Sequence, residues 1–88
     1  VGASVEHLSD LGGGVPDLLV GWHEINMLFE CKDEARPPSE RRLTLLQTYW
    51  HNMWRGQVTI VESPDQAVAI AEELAHLQAQ MTGLKLHT

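Results

Sequence analysis

Between Asn26 and Glu62 the chain passes through a strand-like run, a capped amphipathic run and a second strand-like run. That order constrains the fold more than any other feature, because two strands joined through a helix must lie parallel. The crossover between them is expected to be right-handed. Its first arm is Asn26 to Lys32. The helix is expected over Thr44–Trp54: Thr44 can cap it, Gln47 completes the capping-box spacing, and Leu43, Leu46, Trp50 and Met53/Trp54 recur at helical intervals. Gly56 is expected to terminate it, and Gln57 to Glu62, with Val58, Ile60 and Val61, forms the second arm.

Ahead of this unit, Gly12-Gly13-Gly14 form a loop that Pro16 closes at a strand edge. Asp17 to Trp22 reads as a buried strand, a turn begins within Gly21 to Glu24, and a shorter strand lies near Ala3 to His7. Short turns make these strands antiparallel. After the crossover, Ser63-Pro64-Asp65 opens a last helix with an apolar stripe of Ile70, Leu74, Leu77 and Met81, and Gly83 as its C-cap. The expected architecture is α/β: a mixed sheet flanked by helices, in the order β-β-β-α-β-α. At 88 residues one small domain spanning 1–88 is expected, near the lower limit for a single core.

Strand alternation then separates the side chains of the first arm. Met27, Phe29 and Cys31 share one face, while Glu30 and Lys32 share the other. Asp17 starts the neighbouring strand, so a hairpin can bring its carboxylate toward Glu30. Two carboxylates from adjacent strands suit a hard divalent cation such as Mg²⁺, which takes oxygen ligands and keeps several waters. The Cys31 carbonyl is a further candidate ligand. Lys32 beside them can orient or deprotonate an attacking water, or stabilise a developing oxyanion. The same residues also fit a bland reading, in which Pro-Asp is turn chemistry and Glu-x-Lys a solvated strand end. Gln47 likewise has two readings: its amide closes the capping box on Thr44, or points over the sheet toward Glu30 and Lys32.

Net charge is -6, which weighs against a phosphate-rich partner. The distribution offsets this, since Lys32, Arg36, Arg41, Arg42 and Arg55 fall in one segment and only Lys85 lies outside it. A bound cation also inverts the local charge. Arg36, Arg41 and Arg42 are candidate phosphate contacts, with a solvated loop as the alternative.

GVPDLLVG, FECKD, PPSERRLTLLQ and WRGQVTIV, in that order, resemble the PD-(D/E)xK nuclease superfamily. The resemblance runs from about Gly2 to Ile70 and is nearest to the compact VRR-NUC branch. That branch is found as small phage proteins and as the nuclease domain of the Fanconi-associated nuclease. It implies a restriction-endonuclease-like core, Mg²⁺ or Mn²⁺ as cofactor, DNA as substrate, and a homodimer that cuts structured or branched DNA. Residue by residue, it implies that Asp17 and Glu30 hold the metal, that Lys32 is the catalytic lysine, and that Gln47 is an accessory polar residue. The usual first helix of such domains is expected to be absent, because only Val1 to Ala3 precede the first strand. Glu6 and Asp10 do not replace its acidic residue. A nuclease-fold DNA-binding or assembly module that does not cut is the alternative.

Other chemistries fail on spacing. The triple glycine lacks the Lys-Ser/Thr of a phosphate-binding loop and opens no helix. His7, His23, His51, His76 and His87 are scattered, and one cysteine cannot build a zinc site. The single Cys31 excludes an internal disulfide, fits a reducing cytoplasm, and is expected in the core. Trp50 and Trp54 are expected to pack in the core and Trp22 to be exposed at its turn. No apolar run is long enough to cross a membrane.

Overall fold

The computed structural model describes residues 2–87, with side chains described as far as Met81. The chain forms β1 (Ser4–His7), β2 (Leu18–Trp22), β3 (Ile25–Cys31), α1 (Leu45–Met53), β4 (Thr59–Val61) and α2 (Pro64–His87). Single 3-10 turns lie at Ser9–Leu11 and Pro38–Glu40. The four strands make one sheet in the order β1-β2-β3-β4. The β1–β2 and β2–β3 pairs are antiparallel, and β3–β4 is parallel, as a strand–helix–strand crossover requires.

Several boundaries differ from the sequence expectation, each for a local reason. The hairpin turn is His23-Glu24, with φ of 50° and 65°, so β3 starts at Ile25. Positive φ at both positions matches the twist of a two-residue hairpin, here without the usual glycine or asparagine. α1 stops at Trp54, whose ψ of 128° is already extended, two residues before Gly56. Gly83 lies inside α2 rather than ending it.

β4 is shorter than the expected Gln57 to Glu62 because a side chain does part of the pairing. Gln57 Oε1 accepts from the Leu28 N–H at 2.7 Å, and its Nε2 donates to the Leu28 carbonyl at 2.9 Å. The amide therefore substitutes for one backbone rung beside β3. Gln57→Leu is expected to lower stability by about 1–3 kcal/mol in urea denaturation, by stranding both backbone groups.

The core occupies one face of the sheet. Val20, Met27, Phe29 and Val61 pack against Ala71 of α2, with Ala67, Ile70 and Leu74 half-buried around them. Beyond Leu74 the apolar stripe of α2 leaves the sheet, and Leu77 and Met81 are exposed. α1 buries no residue at all. It lies on the other face, where Leu19 and Leu28 project beside Glu30 and Lys32, and its C-cap Trp54 borders those two leucines. Leu45 is 86% exposed, and Leu46, Tyr49 and Met53 are also exposed. Trp50 and Trp54 accordingly do not enter the core. They stack on each other with centroids 4.7 Å apart, and the Trp54 indole N–H donates to the Gln57 carbonyl at 3.2 Å. Trp22, expected at the surface, is half-buried against the core cluster, with its ring edge-on to His23 at 4.3 Å.

The glycine loop reaches across to α1. Gly14 has φ of 84°, and a Cβ there would collide with the backbone of Leu46 and Gln47. Only glycine permits both the conformation and the approach. Gly14→Ala is expected to cost at least about 2 kcal/mol, read by urea denaturation, and to push the first turn of α1 away from the sheet.

Candidate active site

Two strands and the first turn of α1 converge on one point. Asp17 directly precedes β2, and the register continued past the Leu18–Phe29 pair sets it opposite Glu30 across the hairpin. Fully buried Pro16 anchors the loop that delivers it. The Asp17 Oδ2 accepts from the Cys31 N–H at 2.8 Å, and a side-chain hydrogen bond joins its carboxylate to that of Glu30. The alternation read from β3 therefore places the acids together.

Lys32 reaches α1 from the same face of the sheet. Its Nζ donates to Gln47 Oε1 at 2.9 Å. That oxygen also accepts from the Thr44 N–H at 2.9 Å, while the Thr44 hydroxyl accepts from the Gln47 N–H at 3.2 Å. The amide oxygen closes the capping box and holds Lys32 at once, because a carbonyl oxygen has two lone pairs. The capping box fixes the amide, and the amide fixes the lysine.

Glu30 is only 1% exposed. Its carboxyl is pushed up to about 8, first by burial, then by the hydrogen bond and charge of Asp17, with Lys32 pulling the other way. At neutral pH Glu30 thus holds a proton between the two acids. Its Oε1 is buried without a hydrogen-bond partner among the described residues. Two adjacent carboxyl groups on one face of the sheet are a donor set that fits a divalent cation, which would exchange with that proton. Among the described residues no three His, Cys, Asp or Glu side chains are grouped to hold a metal ion. Asp17 and Glu30 would therefore hold a cation as a carboxylate pair completed by water or backbone oxygen, a set suited to Mg²⁺ rather than structural zinc.

One neighbour escaped the sequence reading. His51 on α1 places its Nε2 3.7 Å from Glu30 Oε1. Its helical spacing from Gln47, four residues, was the available signal. Burial and the charge of Lys32 hold its imidazole below the usual range. Cys31, expected in the core, is exposed. It keeps the parity of Met27 and Phe29, but at the strand end α2 no longer covers it. Burial and then the nearby Asp17 and Glu30 charges push its thiol up, opposite to what a nucleophile requires.

The arginines divide by what they already touch. Arg41 Nη1 pairs with Glu62 Oε2 at 2.8 Å, which ties the loop before α1 to the end of β4. Arg36 makes an exposed contact with Glu40 at 3.5 Å. Arg42 is exposed. Comparisons of the chain with models of known families, with curated proteins and with solved structures give no match. Among the described residues no helix is long and apolar enough to cross a membrane.

Proposed function

We propose that this chain is a metal-dependent phosphodiesterase acting on DNA. The observation that carries this reading is the junction of Asp17 with Glu30, flanked on the same face by Lys32 held on Gln47. More particularly, the motif order supports a VRR-NUC-type endonuclease of the PD-(D/E)xK superfamily, with its restriction-endonuclease-like core, directed at structured or branched DNA. When bound, Mg²⁺ or Mn²⁺ would supply Lewis-acid stabilisation of the phosphoryl oxygens. Asp17 and Glu30 would hold it, with the Cys31 carbonyl as a further oxygen.

Lys32 then has a defined part. Its ammonium lies beside the carboxylates and is positioned by Gln47, so it can orient the attacking water or meet charge on the phosphate. Arg42 and Arg36 are the side chains best placed in the loop before α1 to meet backbone phosphates. Arg41 serves the fold through Glu62. The exposed apolar residues of α1 support a homodimer, since a second copy would cover Leu45, Leu46, Tyr49 and Met53. Cytoplasmic action in a bacterial or phage-infected cell fits this reading.

The test is cleavage of labelled linear, single-stranded and branched DNA by purified protein with Mg²⁺, Mn²⁺ or EDTA. Cation-dependent cutting, strongest on branched DNA, is expected. DNA binding without cutting under any cation would instead identify a nuclease-fold binding module.

A further inference from the structure

His51 and Glu30 face each other through two buried polar atoms, one on each side chain. Among the described residues Glu30 Oε1 and His51 Nε2 both lack a hydrogen-bond partner, and they stand 3.7 Å apart. Buried groups of this kind call for an explanation, because an unmade bond there costs free energy. The geometry around them is systematic. Four residues of helix rise about 6 Å, and two residues of strand about 6.6 Å. Gln47 and His51 on α1 therefore match Lys32 and Glu30 on β3 one for one. Gln47 holds Lys32 at 2.9 Å, and His51 stops just short of a bond to Glu30.

We propose that His51 is a positioning residue for the cation site, its Nε2–H donating to Glu30 Oε1 when the site is loaded. This rests on the two-carboxylate reading above. Glu30 has Asp17 on one side and His51 on the other. A donor on Oε1 fixes the rotation of the carboxylate about its last bond and leaves the opposite oxygen for the cation shared with Asp17. Outer partners of metal ligands commonly change affinity by about 10- to 100-fold.

The experiment is calorimetric titration of Mn²⁺ into parent, His51→Phe and His51→Gln proteins, with folding checked by circular dichroism. His51→Phe keeps an aromatic ring and loses the donor; its Mn²⁺ affinity is expected to fall about tenfold. His51→Gln keeps a donor and is expected to recover most of that loss. His51→Leu replaces His51→Phe in the comparison if the phenyl variant does not fold. Parental affinity in His51→Phe, or an equal loss in His51→Gln, would overturn the assignment while leaving the carboxylate site standing. No Mn²⁺ uptake by the parent itself would overturn the site and the role of His51 together.

Discussion

Glu30→Gln is expected to stabilise the metal-free protein above pH 8 and to abolish DNA cleavage. The two outcomes share one cause. Folding buries the Glu30 carboxyl beside Asp17, which raises its pKa from an ordinary 4.5 to about 8. The folded chain then holds a proton that the unfolded chain releases. Stability from this group is full below pH 4.5, falls as pH rises, and is lost once pH passes about 8. The gap corresponds to on the order of 4–5 kcal/mol.

The neutral amide has no such dependence. It can accept from His51 on one side and donate to Asp17 on the other, so its polar atoms need not be orphaned. Urea denaturation across pH 5–9 is expected to show a falling curve for the parent and a flatter one for Glu30→Gln. Mg²⁺ is expected to restore parental stability at high pH and to leave the variant unchanged, because a cation replaces the proton only on a carboxylate. A parental curve that did not fall relative to the variant would contradict the buried-acid account.

Lys32→Met is expected to lower the cleavage rate by roughly 10²–10³ while leaving Mn²⁺ binding largely intact. The methionine keeps most of the apolar stem and removes only the charged head. Single-turnover assays separate this from a binding defect. Loss of metal uptake together with cleavage would instead assign Lys32 to assembly of the site. Gln47→Ala gives the graded counterpart. It removes the acceptor that holds Lys32 and half of the capping box, so a smaller rate loss should accompany about 1 kcal/mol of destabilisation.

The sequence made the site's frame legible through two periodicities. Alternation along β3 put Glu30 and Lys32 on one face, and the capping-box spacing put Gln47 at the first turn of the helix facing them. Element order also followed, since a helix between two strand patterns admits a parallel pair. Depth was harder to read than side. Cys31 has the parity of Phe29 yet is exposed, because whether α2 still covers the strand end depends on where the helix starts and how it tilts. The stripe of α1 has helical spacing, but spacing alone does not say what lies opposite. The face opposite carries Glu30 and Lys32 beside Leu19 and Leu28, and Trp50 and Trp54 stack outside the core.

Long-range polar pairs left no local trace. Gln57 replaces a strand rung across 29 residues of chain, and Arg41 meets Glu62 across 21. Neither pairing has a spacing signature, because tertiary contact rather than helical or strand period brings those groups together. His51 was the exception, since its four-residue offset from Gln47 was visible once Gln47 was assigned to the site.

Anomalous diffraction from crystals soaked in Mn²⁺ at pH 8 or above tests the central claim most directly. One Mn²⁺ peak is expected between the Asp17 and Glu30 carboxylates, within ligand distance of both, and absent in Asp17→Asn crystals. A peak elsewhere, or none at saturating Mn²⁺, would contradict a shared-cation site built by these two strands.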